Sequence, residues 1–189
     1  IDIAVNSNET IEPRTNPEHN FKYIELADID QNIGVIENAK TIKGKNAPSR
    51  ARMLLRNGDV IASSVEGSLD KVALVSEEYD GAIGSTGFFV LRPRTVSSGY
   101  LLALIKSIIV REQMHCESSG TILAAVPAKS LKNIIVPNIR QEIQDAISTL
   151  VQQSLAAKRE AKTLLEKAKR AVEIAIEYGE QQAIDFLCK

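Results

Sequence analysis

The sequence predicts an α+β protein: a mixed α/β domain followed by one long coiled-coil-forming helix. Three observations predict it. Short apolar runs bounded by turn signals fill residues 21–91, and a helical stretch with two more short runs follows. Residues 138–178 then carry an apolar and small-residue seam spaced four, three, four, three throughout, the heptad period that keeps one stripe toward a partner helix. The chain has 189 residues, 44% hydrophobic and 25% charged, enough for one core plus the helix. No run approaches the roughly 18 apolar residues of a membrane span, and no signal-peptide pattern opens the chain. A cytoplasmic location without a membrane partner is therefore expected. Cys116 and Cys188 are too few for a disulfide framework or a cysteine-based zinc site, and no metal is expected. The first residue is Ile1, as in a piece of a longer or processed chain.

Residues 1–20, with Asn6, Ser7, Asn8, Pro13, Asn16 and Pro17, read as an irregular lead-in. Residues 21–137 read as one domain. Strands are expected at 23–29, 60–65, 72–75 and 83–91, separated by turns at 32–34, Asn57-Gly58-Asp59, Gly67-Ser68 and Asp80-Gly81. Residues 100–114 read as a helix, and 122–126 and 134–136 as two short strands. Residues 138–189 form the long helical segment. Pro137 cannot continue a helix backwards, Asn138 with Gln141 has the capping-box spacing, and Gly179 supplies a stop. Its helix-pairing seam includes Ile143, Ile147, Leu150, Ala157, Ala161, Leu164, Ala168 and Ala171. At ~1.5 Å per residue such a helix is about 60 Å long, about twice the diameter of a small domain.

Charge distribution carries more than the net charge of −1, which by itself argues against a free-standing nucleic-acid binder. Residues 38–58 contain Lys40, Lys43, Lys45, Arg50, Arg52 and Arg56 and no acid, with Gly44, Asn46, Pro48 and Ser49 shaping a loop. If residues 50–52 are extended, Arg50 and Arg52 share a face. The alternative is that Pro48-Ser49-Arg50 starts a helix and the arginines pair with carboxylates.

Catalytic motifs fail on spacing. Asp28, Asp30 and Asn32 begin like a calcium loop, but Ile33 and Ala39 stand where Gly and a bidentate Glu belong. Gly44-Lys45 lacks the first Gly of a phosphate loop and has Asn46 in place of Ser or Thr. Gly81, Gly84 and Gly87 lead into Phe88-Phe89-Val90-Leu91, a strand rather than a dinucleotide-binding helix. Ser68 and Lys71 have the Ser-x-x-Lys spacing, but Val72 to Val75 reads as a strand, where positions three apart point to opposite faces. His19, His115 and Cys116 lack ligand-spaced partners.

Four stretches resemble a known family in order and spacing: residues 21–30 (FKYIELADID), 44–52 (GKNAPSRAR), 58–61 (GDVI) and 85–93 (STGFFVLRP). They resemble the specificity subunit of type I restriction-modification systems. Residues 136–143 resemble the entry to that family's spacer helix, and 168–187 its end, so the resemblance runs from about Phe21 onward. It implies a non-catalytic, sequence-specific DNA-binding subunit of a methyltransferase/endonuclease complex. In that family two target-recognition domains are held apart by two antiparallel helices, and each reads half of a split double-stranded site. Methyltransferase subunits using S-adenosylmethionine dock on the helices, and an ATP-driven translocating nuclease subunit completes the complex.

This chain would be one recognition domain with one spacer helix and no cofactor of its own, completed by a homodimer or by a longer chain. DNA contact is expected from Lys43, Lys45, Asn46, Ser49, Arg50 and Arg52 in the basic loop. Ser64, Ser68, Ser85 and Thr86 are expected to contribute from two turns. One departure is Glu66-Gly67 where relatives place Arg-Pro; Glu66 repels phosphate unless it accepts from a cytosine amino group. Two other readings compete: a serine hydrolase using Ser68 and Lys71, and a coiled-coil adaptor that never touches DNA.

Overall fold

Residues 3–119 and 124–188 are described by a computed structural model whose contacts divide the chain into residues 1–151 and 152–189. The first unit holds two four-stranded sheets. One has β1 (Ala4–Asn6), β10 (Phe88–Pro93), β7 (Val60–Ser63) and β8 (Val72–Leu74) in that order, every neighbour antiparallel. In the other the order is β5 (Lys40–Lys43), β2 (Asn20–Ile24), β9 (Ile83–Ser85) and β6 (Ala51–Leu54), with β2 and β9 parallel. A small ribbon pairs β3 (Ile29–Asp30) with β4 (Val35–Ile36).

Period-two alternation explains the layering. Along β7 and β10, Val60, Ala62, Phe89 and Leu91 face a core completed by Tyr100, Leu101, Leu102 and Leu104 of α1 (Ser98–Lys106) and Val110 and Met114 of α2 (Ile108–Glu117). Their neighbours Ile61, Phe88 and Val90 face the opposite core with Ile24, Leu55, Ala73, Val75 and Tyr79. The central sheet is therefore covered on both sides. A third cluster, Phe21, Tyr23, Ala47, Ala51 and Ile83, lies on the far side of the second sheet, under the segment that crosses from β5 to β6.

The predicted α+β class holds, with local differences that have physical causes. The expected strand at 83–91 is two strands in different sheets, divided by the turn at Thr86-Gly87. Within the first twenty residues, Ala4–Asn6 pairs with β10 and Thr10 bridges to Met53 of β6, so this stretch closes both sheets instead of leading in irregularly. The helix expected at 100–114 breaks at Ser107, whose hydroxyl accepts from the Val110 N–H at 3.4 Å and caps α2. Of the strand expected at 122–126, residues 122 and 123 lie outside the described residues, and Ala125 bridges to Val65 and Ser119. Residues 134–136 form no strand and have no strand neighbour among the described residues. The Gln113 amide takes that place, accepting from the Ile135 N–H at 2.7 Å and donating to the Ile135 carbonyl at 2.8 Å.

Helix α3 (Gln141–Tyr178) starts where the N–H groups of Ile143 and Gln144 reach the Arg140 carbonyl at 3.1 and 3.2 Å, later than the expected Asn138 cap. Its first turns lie on the first unit's core through Ile147 and Val151, next to Ile139. Ser148 is buried against Gly99 of α1, where a Cβ would stand 2.7 Å from the Ser148 hydroxyl and 3.2 Å from its carbonyl oxygen. In the second unit α3 ends at Gly179, whose φ of +96° suits glycine, and α4 (Glu180–Leu187) follows. Ala171 and Ala183 are buried and Lys167 donates to the Leu187 carbonyl at 3.1 Å, so α4 folds back along the end of α3.

Among the described glycines Gly44 has the tightest backbone approach: a Cβ there would overlap the carbonyl oxygens of Pro13 and Asn16. Gly99→Ala is expected to cost about 1–3 kcal/mol of overpacking strain, and Gly44→Ala more, because only backbone faces it. Urea denaturation checks this; equal midpoints for wild type and Gly44→Ala would contradict the close packing.

Candidate nucleic-acid interface

The six cations of residues 38–58 do not form one free surface. Acids from elsewhere in the chain reach them: Lys40 pairs with Glu25 at 2.7 Å, Lys43 and Lys45 both pair with Glu18 at 2.8 Å, and Arg56 approaches Glu9 at 3.6 Å. Arg52 pairs with Glu12 and also donates to the Ser49 carbonyl at 3.0 Å. The Glu18 carboxyl is held below its usual range by its hydrogen bonds to Lys43 and then Lys45. Glu9 is lowered chiefly by Arg92, which is also held, at 2.9 and 3.1 Å, by the buried Asp59. Of the six cations, only Arg50 is without an ion pair among the described residues.

Strand register separates the cations further. Lys43 stands opposite Asn20 at the start of β2, while Ala51 stands opposite Ser85 at the end of β9, which runs parallel to β2. Gly44-Lys45-Asn46 forms a 3₁₀ turn at the first end, with Asn46 exposed; Ala47 is buried, and exposed Ser49 and Arg50 emerge at the second end. No helix starts at Pro48: residues 51–54 form β6.

At the second end the fold collects residues from three segments. The Thr86 N–H donates to the Arg50 carbonyl at 2.9 Å, and both residues are exposed. Ser64 donates to the Gly87 carbonyl through its N–H at 2.8 Å and its hydroxyl at 3.0 Å. Tyr23 is buried beneath them. Burial pushes its hydroxyl above the usual range, against the opposing effects of a hydrogen bond with Ser85 and the charge of Arg50. Of the residues expected at DNA, Ser49, Arg50, Ser64, Ser85 and Thr86 therefore gather around one turn. Lys43, Lys45 and Asn46 lie at the other end of the sheet, and Arg52 turns toward Glu12.

Ser68 is tied down close by. Its hydroxyl lies 2.9 Å from that of Ser63 and bonds the Val65 carbonyl at 3.1 Å, while Lys71 donates to the Ile29 carbonyl at 3.0 Å. Each side chain of the Ser-x-x-Lys pair thus holds a different backbone carbonyl, an arrangement of structural bonds rather than of a lysine activating a serine. Glu66 lies 3.1 Å from the His115 imidazole, a contact no sequence pattern showed. Among the described residues there is no group of three or more His, Cys, Asp or Glu able to hold a metal, and no helix long and apolar enough to cross a membrane.

Comparison with solved structures places this arrangement. The HsdS subunit from Thermoanaerobacter tengcongensis matches 93% of this chain with a TM-score of 0.72 and 31% identity. The likeness is to specificity subunits of type I restriction-modification systems. A chain from a study of complex assembly and conformational transition of the type I R-M system matches the same share, with a TM-score of 0.70 and 28% identity. The chain spans 45% of the length of each of these specificity-subunit structures. No family model matches the sequence, and no curated protein matches it.

The expected helix-pairing seam lies along α3 of this specificity-subunit fold. Leu150 is 65% exposed and Leu164 58%, and Ile143, Ala157, Ala161 and Ala168 are exposed too. Ile147 instead packs on the first unit's core and Ala171 is buried.

Proposed function

We propose that this chain is a DNA-recognition and scaffold module of a type I restriction-modification complex, without chemistry of its own. The likeness to HsdS over 93% of the chain carries this reading. Because it covers somewhat under half of the neighbour, the module corresponds to one recognition domain with one spacer helix, reading one half of a bipartite site. A second recognition domain comes from another copy or from a longer chain. Methyltransferase subunits, with S-adenosylmethionine, and a translocating nuclease subunit, with ATP, supply the chemistry.

The turn cluster is where this module meets bases. Arg50 presents five N–H donors without an intramolecular acid among the described residues, and a guanidinium of this kind reads the O6 and N7 of guanine bidentately. Thr86 beside it offers a hydroxyl that donates or accepts, and both are fixed by the backbone bond between them and by the adjoining pairing of β6 with β9, Ala51 opposite Ser85. Base contact at Arg50 predicts that Arg50→Ala costs roughly 1–3 kcal/mol on a site-bearing duplex and relaxes one base position. A phosphate contact would instead weaken all duplexes alike. Binding of the assembled complex to site-bearing and scrambled duplexes checks this; unchanged affinity on both, with the fold intact, would remove Arg50 from the interface.

Along α3, the exposed Leu150 and Leu164 with the small Ala157, Ala161 and Ala168 make a stripe that another helix approaches closely. Replacing Ala161 and Ala168 together by Glu places charge where an apolar partner would lie, which is expected to cost several kcal/mol of association. Sedimentation and co-purification with the methyltransferase subunit measure it. Unchanged assembly would assign the stripe to solvent.

A further inference from the structure

We propose that Glu18 is an intramolecular stand-in for DNA phosphate, occupying Lys43 and Lys45 and keeping them out of the sequence-independent part of duplex binding. The inference rests on the DNA-recognition reading above. Its geometry is specific: Glu18 Oε2 lies 2.8 Å from Lys43 Nζ, and Oε1 lies 2.8 Å from Lys45 Nζ. One anion thus satisfies two ammonium groups through separate oxygens, as the two free oxygens of a backbone phosphate would.

Two features distinguish a competitor from a structural bolt. All three side chains are about half exposed or more, at 47%, 50% and 65%, and ion pairs so open to solvent stabilise a fold little. The loop that carries them is held by backbone bonds that do not involve the carboxylate. The Gly44 N–H donates to the His19 carbonyl at 2.9 Å, the Lys45 N–H to the Pro17 carbonyl at 3.0 Å, and the His19 N–H to the Asn16 carbonyl at 3.1 Å. Gly44 packed against the lead-in backbone fixes the same junction sterically. Removing the charge of Glu18 therefore leaves the lysines where they are and frees them.

The functional consequence lies in non-specific binding. Phosphate contacts supply affinity for every duplex, and a genome offers a vast excess of wrong sites. A module whose base reader, Arg50, lacks an intramolecular acid among the described residues while Lys43 and Lys45 are both engaged by Glu18 loses less of itself to that excess.

The experiment is a salt titration of the assembled complex on a scrambled duplex, comparing wild type, Glu18→Gln, Lys43→Gln/Lys45→Gln, and all three changes together. Each lysine freed to meet a phosphate adds about 0.9 to the slope of log affinity against log salt. Glu18→Gln is expected to steepen the slope by about two units, so that affinity falls about tenfold more than wild type's between roughly 50 and 200 mM salt. The double lysine variant should keep the wild-type slope, and the triple variant should lose the gain of Glu18→Gln. Thermal unfolding of Glu18→Gln shows whether the loop stays folded; if it does not, Glu18→Asp, which keeps the charge on a shorter arm, should retain the wild-type slope. Unchanged slope and affinity in Glu18→Gln, with binding still measurable, overturns the role of Glu18 and leaves the DNA reading standing. If no variant and no wild-type complex binds any duplex, the DNA reading fails and takes the inference with it.

Discussion

Burial of both faces of β10 is the constraint on which the rest of the domain depends. Phe89 and Leu91 are committed to the core beneath α1 and α2, and Phe88 and Val90 to the core between the sheets. A strand with two buried faces can slip by one residue only by exchanging its entire apolar set between cores, so its register is fixed. β1 and β7 pair with its two edges, and its first residue sets where Thr86 and Gly87 must turn. The candidate reading residues are therefore held by the centre of the fold. They sit on a turn whose exit is a strand buried on both faces and whose neighbours, Ser64 and Arg50, are bonded to it through the backbone.

Electrostatics follow from the same framework. Residues 9–18 run past the sheet edges and bring Glu9, Glu12 and Glu18 to Arg56, Arg92, Arg52, Lys43 and Lys45. A local charge of six becomes a set of short-range pairs. What is left to meet a nucleic acid is positional: one cation among exposed hydroxyls at the end of the second sheet. Pairing already consumes the long-range field that a loose cluster of lysines would project.

Much of this was legible in the sequence because apolar alternation survives in any window that contains a strand. The strands around Val60, Val72 and Phe88 lie where the pattern put them, and the long heptad segment is one continuous helix through Tyr178. Features set by distant residues were not legible. No window over residues 38–58 contains Glu12 or Glu18, so the cluster read as unneutralised. The stretch around Ile135 reads as a strand because it is a short apolar run, yet its hydrogen-bonding partner is the Gln113 side chain. Ser107 breaks a helix whose apolar period runs straight through it, because a capping hydroxyl leaves no trace in hydrophobicity. The division of the seam has the same cause: Ile147 obeys the heptad, but the core under α1 claims it.

Likeness to HsdS over 93% of the chain, with the turn cluster at the end of the second sheet, supports one proposal: bases are read at residues 49–50, around 64 and at 85–87. Amide hydrogen exchange of the chain, assembled with the proposed methyltransferase subunit and measured with and without a site-bearing duplex, tests that proposal most directly. New protection is expected at those three segments. Protection confined to α1, α2 and residues 128–136, with the three turns exchanging as in the free protein, would contradict it.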